Sequence, residues 1–178
     1  CLSDKPTTSI KSSGSTGIPK LFEVEKSRMF ASAKMTCDFL GLKQGDTALL
    51  CLPTEYISGK MMLVRAIERQ MKIIIQKSTL SPLEDLEEEV SFCAMTPLQV
   101  EHSLDKIHWI KNLIIGGASV SQSLKIKMRE SLASRVLFLA SQNIYETYGM
   151  SETLSHIALK SIFPKEEDYF KILGSVEI

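Results

Sequence analysis

The chain has 178 residues, of which 44% are hydrophobic and 24% are charged, and its 21 basic and 21 acidic residues give a formal net charge of zero. This composition is typical of a globular protein with a substantial core, arranged as one domain or two small subdomains. Because the charges balance, the composition gives no electrostatic reason to expect nucleic-acid binding. The sequence has no apolar run long enough to cross a bilayer, which predicts no membrane insertion.

Strands and helices alternate along the sequence. The hydrophobic pattern predicts strands over residues 7–11, 21–25, 47–52, 72–76, 91–95, 109–115, 143–148 and 154–159. Helices are predicted over residues 27–40, 56–70, 81–89 and 97–104, and from residue 121 onward. Residues 135–140 fit either a continued helix or a strand. We expect Ser27 to cap the first helix and Gly41 to end it. Either Ser119 or Ser121 is expected to cap the last helix.

This alternation predicts βαβ units, and therefore an α/β fold with a mainly parallel sheet and flanking helices. The apolar runs over residues 47–52 and 72–76 are expected to be strands buried on both faces. The acidic run within residues 81–89 is interpreted as a short helix with a solvated face rather than a metal site.

The four cysteines indicate reduced thiols rather than disulfides. They are Cys1, Cys37, Cys51 and Cys93, which are widely spaced without a C-x-x-C pair. Three of the four lie in apolar runs. This pattern favours buried thiols in a cytoplasmic protein and offers no metal-ligand cluster.

A glycine-rich stretch, Ser12–Lys20, reads S-S-G-S-T-G-I-P-K. Gly14 and Gly17 permit positive φ, so successive N–H groups can point into one concavity and hold an anion. Lys20 adds a mobile positive charge. Hydroxyl donors come from Ser12, Ser13, Ser15 and Thr16. The spacing differs from the P-loop of nucleotide triphosphatases, and a flexible Gly/Ser linker is the alternative interpretation.

Two further stretches lie where strands are predicted to end. Residues 148–153, Y-G-M-S-E-T, offer an aromatic face, a turn, a hydroxyl and a carboxylate, which suit an aromatic base, a phosphate and a divalent metal. The alternative for Tyr148 is an aromatic core anchor at a strand end. Gly116, Gly117 and Ala118 follow another predicted strand, and ligands of open α/β sheets collect beyond such carboxyl ends.

These three stretches together resemble the adenylate-forming superfamily of acyl-CoA synthetases, luciferases and peptide-synthetase adenylation domains. All nine positions of Ser12–Lys20 match its signature loop, S/T-S/T-G-S/T-T-G-x-P-K, which covers the ATP phosphates. Residues 148–152 resemble its Y-G-x-S/T-E motif. The resemblance places Tyr148 against adenine, Ser151 on the α-phosphate and Glu152 on Mg²⁺, and it includes Gly149 among the cofactor-binding residues. Gly116, Gly117 and Ala118 resemble the G-G-A segment that borders the nucleotide and the acyl pocket.

A narrower resemblance is to the o-succinylbenzoate–CoA ligases of menaquinone biosynthesis. Residues 52–59, L-P-T-E-Y-I-S-G, resemble their L-P-L-x-H-x-S/G-G segment, with Tyr56 in place of the usual histidine and with Ser58 retained. Arg65 matches the arginine that those ligases place for the second carboxylate of the substrate. The alternative is a surface arginine with a buried stem. His156 is a candidate for the acyl pocket, with a structural histidine as the alternative.

The resemblance implies ATP-dependent activation of a carboxylate to an acyl-adenylate, followed by thioester formation with CoA. Thr16, Lys20 and Glu152 are the implied catalytic residues, and ATP, Mg²⁺ and CoA are the implied cofactors and co-substrates. Another acyl- or aryl-CoA ligase, or a nucleotide-binding module without full catalysis, are the alternatives. The partner would be a small carboxylate, with no nucleic acid, and homo-oligomerisation is left open.

The resemblance also predicts the domain organisation. Residues 1–160 are expected to form the nucleotide- and acyl-binding core of the large N-terminal domain, and residues 161–178 to begin the following β-rich subdomain. No counterpart of the family's C-terminal lid lysine is found in the sequence.

Overall fold

A computed structural model describes residues 4–11, 21–135, 142–150 and 153–174. Two strands near the start, β1 (Thr7–Lys11) and β2 (Leu21–Glu25), form an antiparallel hairpin in which Lys11 pairs with Leu21. The hairpin therefore brings together the two residues that flank the glycine-rich stretch. Ile10 and Val24 are buried, and they attach the hairpin to the helices behind it.

Within the described residues, seven strands form one sheet. They are β3 (Thr47–Leu50), β4 (Lys72–Ile75), β5 (Val90–Met95), β6 (Ile110–Ile115), β7 (Asn143–Gly149), β8 (His156–Phe163) and β9 (Lys171–Ile172). Their order is β4-β3-β5-β6-β7-β8-β9. The first five strands in this order are parallel, whereas β8 and β9 are antiparallel. The predicted α/β fold with a mainly parallel sheet is confirmed.

Helices cover both faces of this sheet. They are α1 (Lys26–Leu40), α2 (Ile57–Arg69), α3 (Pro97–Glu101) and α4 (Gln122–Ala133), with a 3₁₀ turn at Ile107–Trp109. Neighbouring strand residues point to opposite faces. Ala48 and Phe92 therefore pack in a cluster with α1 and α2, whereas Leu49 and Cys93 pack in a second cluster with α4. The result is a three-layer sandwich of helix, sheet and helix.

Local sequence signals explain several helix ends. Gly41 ends α1 with a left-handed φ of 65°. Thr96 caps α3 by accepting from the N–H of Gln99, whose side chain accepts from the Thr96 N–H in return. Of the two serines predicted as caps for α4, Ser121 is the cap, and it accepts from the N–H of Leu124 at 3.2 Å.

The structure corrects the predicted start of α1 and the predicted burial of β4. Helix α1 begins at Lys26 rather than after Ser27, because the chain runs directly from β2 into the helix; Ser27 donates to Glu25 at 3.4 Å instead of capping. Strand β4 is an edge strand, so Ile73 and Ile75 are exposed rather than buried.

Other predicted boundaries were also wrong. Residues 81–89 form turns rather than a helix, because like charges four residues apart repel one another on a helix. Leu83 and Leu86 anchor these turns in the core. Helix α3 ends at Glu101 rather than at residue 104, and β8 begins at His156 rather than at residue 154. Residues 136–140 of the ambiguous stretch lie outside the described part. No helix in the described part is long and apolar enough to span a membrane.

Candidate functional site

The glycines predicted at the site lie at the carboxyl edge of the sheet. Gly116 follows β6 and donates its N–H to Met95 at the end of β5 at 3.1 Å. A Cβ on Gly116 would lie 2.5 Å from Thr147 Oγ1, and Gly117 has a positive φ of 86°. A side chain at Gly116 would therefore displace the Thr147 side chain of β7, whereas Gly117 requires glycine because of its backbone conformation. Ala118 beside them is exposed.

Strand β7 ends at the same edge with Tyr148 and Gly149. Tyr148 is 53% exposed, so it is not a core anchor, and its ring centroid lies 5.7 Å from that of Phe170. A Cβ on Gly149 would lie 2.5 Å from the backbone of Ser155 and His156. The exposed ring of Tyr148 therefore lies at the carboxyl edge of the sheet, where an aromatic base could stack on it.

Part of the predicted site lies outside the described residues. It comprises Ser12, Ser13, Gly14, Ser15, Thr16, Gly17 and Lys20 of the glycine-rich stretch, together with Ser151 and Glu152. In the described part, no group of three or more histidine, cysteine, aspartate or glutamate side chains could hold a metal ion. The predicted role of Glu152 in holding Mg²⁺ remains a prediction.

Tyr56 and Ser58 lie at the start of α2. Tyr56 occupies the N-cap position and forms a parallel bridge with Lys11, the residue before the glycine-rich stretch. Both side chains are exposed. The next residue, Gly59, is buried, and a Cβ there would lie 2.3 Å from the carbonyl oxygen of Pro53. This close approach fixes the start of α2 against the end of β3 and explains why the segment carries a glycine.

Arg65 on α2 is 2% exposed, so it is not a surface arginine. Its Nη2 donates to Ser155 Oγ at 2.6 Å, and its Cζ lies 6.0 Å from the ring centroid of Phe92. Within the described residues, its Nε has no hydrogen-bond partner, and no carboxylate forms an ion pair with it. Burial lowers the pKa of Arg65 to about 10, which still leaves the guanidinium charged at neutral pH.

His156 lies beside this arginine at the start of β8. It is 9% exposed, with Nε2 located 3.0 Å from Thr36 Oγ1 and Nδ1 located 3.4 Å from Ser155 Oγ. Burial, and secondarily the charge of Arg65, hold its pKa well below the usual value. The structure thus joins two predicted site residues, Arg65 and His156, to two that the sequence analysis missed, Thr36 and Ser155. We call these four residues the Arg65 cluster.

A second group missed by the sequence analysis is centred on Glu146 of β7. Its Oε1 accepts from the N–H of Val120 at 2.9 Å, and its Oε2 lies 3.1 Å from Lys160 Nζ and 3.9 Å from Lys125 Nζ. Glu146 is 6% exposed. This carboxylate therefore anchors the end of the loop that contains Gly116 and Gly117. An acidic residue in the middle of a predicted strand of the sheet was the signal that could have identified it.

The described cysteines support the predicted reduced thiols. Cys37, Cys51 and Cys93 are free and buried, with 3.7 Å between the sulfur atoms of Cys51 and Cys93. Burial raises the pKa of the Cys93 thiol well above its usual value, which leaves it protonated at neutral pH. These thiols serve as small apolar groups in the core.

Comparison with curated proteins finds similarity to enzymes named 2-succinylbenzoate–CoA ligase. The chain is 24% identical to that of Oceanobacillus iheyensis over 177 residues, covering 94% of this chain and 34% of the relative. It is 26% identical to that of Bacillus licheniformis over 162 residues, covering 87% and 32%. The chain therefore spans about a third of the length of the curated relatives it matches.

Solved structures support the fold. An acyl-CoA synthetase (AMP-forming)/AMP-acid ligase II-like protein from Dyadobacter fermentans superposes with a TM-score of 0.84 at 32% identity, covering 96% of this chain and 48% of that one. O-succinylbenzoate coenzyme A synthetase from Bacillus subtilis, solved with ATP and a magnesium ion, has a TM-score of 0.71 at 23% identity, covering 87% and 32%.

The sequence profile described as AMP-binding enzyme matches residues 3–176, nearly the whole chain. It spans the glycine-rich stretch, the sheet edge with its glycines and tyrosine, and the Arg65 cluster. This chain belongs to the AMP-binding enzyme family.

Proposed function

We propose that this chain forms the nucleotide- and acyl-binding part of an ATP-dependent carboxylate–CoA ligase whose substrate is a dicarboxylate, o-succinylbenzoate. The observation that carries the proposal is the buried guanidinium of Arg65, which has no carboxylate partner among the described residues. A buried charge without a partner is costly, and a second carboxylate from the substrate would compensate for it.

The proposed reaction has two steps. The substrate carboxylate attacks the α-phosphorus of ATP, so that a new O–P bond forms, the bond to the β-phosphate oxygen breaks and pyrophosphate leaves. The thiol of CoA then loses its proton to solvent and its sulfur attacks the acyl carbon, so that a C–S bond forms and AMP leaves with the electron pair of the broken C–O bond. The protein must hold the attacking oxygen in line and stabilise the negative charge that develops on the phosphate oxygens.

The residues that would perform these tasks come from the predicted motifs. Lys20, Thr16 and the N–H groups of the glycine-rich stretch would donate to the phosphates, and Ser151 would contact the α-phosphate. Glu152 would hold Mg²⁺, which neutralises phosphate charge when it is bound. The exposed ring of Tyr148 would lie against adenine.

The Arg65 cluster supports the choice of a dicarboxylate. A guanidinium offers five N–H donors in a planar fork, and Ser155 occupies one of the two terminal nitrogens. The remaining donors match the geometry of a carboxylate. The names of the two curated relatives, both 2-succinylbenzoate–CoA ligases, agree with an aromatic diacid. The buried thiols favour a cytoplasmic location.

The test is pyrophosphate exchange by the full-length gene product with o-succinylbenzoate, benzoate or a fatty acid as the carboxylate. Arg65→Lys should raise the KM for o-succinylbenzoate by about tenfold or more, since the fork that pairs with two carboxylate oxygens is lost. It should leave the KM for ATP unchanged. The matched control is Arg69→Lys, four residues along α2, where the arginine pairs with Asp38 at the surface.

Exchange that is equally efficient with benzoate and insensitive to Arg65→Lys would refute the dicarboxylate assignment. Absence of exchange with any acid would refute the ligase assignment. Glu152→Gln separately tests the metal assignment. It should abolish Mg·ATP-dependent exchange, and retained activity would refute the assignment.

A further inference from the structure

We propose that Thr36 and His156 are positioning residues for Arg65. Together they fix the direction of a buried hydrogen-bond chain, and this chain makes Ser155 present a lone pair to the guanidinium. The inference rests on the proposed function, because it assigns these residues a role in selecting a dicarboxylate over a monocarboxylate.

The chain of hydrogen bonds begins on α1. The hydroxyl of Thr36 lies 3.2 Å from the carbonyl oxygen of Ser32 and donates to it. A hydroxyl has one proton, so Thr36 Oγ1 is left to accept from its other neighbour, His156 Nε2, at 3.0 Å. The geometry therefore assigns the ring proton of His156 to Nε2. Thr36 is fully buried, so no water competes for these contacts.

The tautomer of the His156 ring then determines the direction of its hydrogen bond with Ser155. A neutral imidazole with its proton on Nε2 has a lone pair on Nδ1, which can only accept, and Ser155 Oγ lies 3.4 Å from it. The Ser155 proton is thus directed towards His156. A lone pair of its oxygen therefore faces Arg65 Nη2 at 2.6 Å, and this nitrogen donates a hydrogen bond but cannot accept one.

The arrangement spans three elements that meet only in the folded protein. Thr36 lies on α1, Arg65 on α2, and Ser155 and His156 at the start of β8. If the Thr36 hydroxyl is lost, the Nε2 proton has no acceptor, and the alternative tautomer with the proton on Nδ1 becomes competitive. Ser155 Oγ would then accept from both His156 Nδ1 and Arg65 Nη2, and its own proton would lose the acceptor that orients the hydroxyl, which would weaken its hold on Arg65.

The test compares Thr36→Val with Thr36→Ser in the full-length protein. Valine keeps the shape of threonine but removes the hydroxyl, whereas serine keeps the hydroxyl. We expect Thr36→Val to raise the KM for o-succinylbenzoate about tenfold, the effect of one lost hydrogen bond next to a charge. The KM for ATP and the KM for benzoate should stay unchanged. Thr36→Ser should restore the KM for o-succinylbenzoate to within about twofold.

A spectroscopic measurement reports on the hydrogen-bond direction itself. Long-range ¹H–¹⁵N spectra distinguish the two tautomers of a neutral imidazole, and the signals of His156 are assigned by their loss in His156→Gln. The wild-type protein and Thr36→Ser should show the proton on Nε2. Thr36→Val should show a mixture of the two tautomers or a shift to Nδ1.

The outcomes separate this inference from the proposed function. If Arg65→Lys raises the KM for o-succinylbenzoate but Thr36→Val changes neither the KM nor the tautomer, the positioning role is refuted and the proposed function stands. A Thr36→Val variant that raises the KM for all substrates equally would also refute it, because such a change indicates a general structural defect. If Arg65→Lys itself has no effect on the KM, the proposed function fails first.

Discussion

Replacing Arg65 by methionine should make the protein more stable while impairing recognition of the proposed dicarboxylate substrate. Arg65 is 2% exposed, and no described carboxylate compensates for its charge. Methionine has a similar length and a flexible apolar side chain, so it can fill the space beside Phe92. Natural sites of this kind trade stability for function.

The free-energy cost of burying the charged guanidinium follows from the shift of its pKa. Burial lowers the pKa of Arg65 from 12.5 to about 10. At about 1.36 kcal/mol for each pKa unit, the charged form is destabilised in the folded protein by about 3 kcal/mol. Because the folded pKa is below the unfolded one, this penalty is fully present at neutral pH and fades only as the pH rises above about 10.

Two contacts of the guanidinium offset part of this penalty. The hydrogen bond to Ser155 is charge-assisted and contributes about 2 kcal/mol. The contact with the face of Phe92 is at the outer limit for a cation–π interaction and adds little. Arg65→Met should therefore raise the free energy of unfolding by about 1 kcal/mol.

The assay is thermal and urea unfolding of the full-length protein without ligands. Arg65→Lys is the matched control, because it keeps a buried positive charge and should give no stabilisation. The reasoning would be refuted if Arg65→Met lowered the free energy of unfolding by more than about 1 kcal/mol. That result would mean that the guanidinium is already compensated in the free protein.

Three further perturbations test the local geometry. Gly59→Ala should destabilise the protein by about 3 kcal/mol or prevent its folding, because the new Cβ would lie 2.3 Å from the Pro53 carbonyl oxygen; near-normal unfolding would contradict this. His156 has a folded pKa well below its unfolded value, so the free energy of unfolding should fall as the pH drops below about 6.5, and His156→Gln should make this fall less steep in a pH series of urea titrations. Thr96→Val should cost about 1 kcal/mol in urea unfolding, since Gln99 loses its capping acceptor; Thr96→Ser should cost much less.

Much of the fold could be predicted because its signals are local. Hydrophobic periodicity identified β3 to β8 of the sheet but not the two-residue β9, and Gly41 and one of the two candidate serines, Ser121, marked helix ends by conformation and capping. The prediction of a helix over residues 81–89 was wrong because hydrophobic periodicity does not take account of repulsion between neighbouring carboxylates. The exposure of Ile75 could not be predicted either, since it depends on the order of the strands, in which β4 lies at the edge of the sheet.

By itself, the sequence determined the fold class and the motifs that match the AMP-binding enzyme family, because each of these depends on residues close together in the chain. Only the tertiary structure decided that Arg65 is buried without a described counter-ion and that Thr36 contacts His156, 120 positions away in sequence. Such contacts depend on how α1, α2 and β8 pack together. That packing is set by the combined burial of many apolar side chains. The residues next to Thr36 in the sequence therefore do not predict its contact with His156.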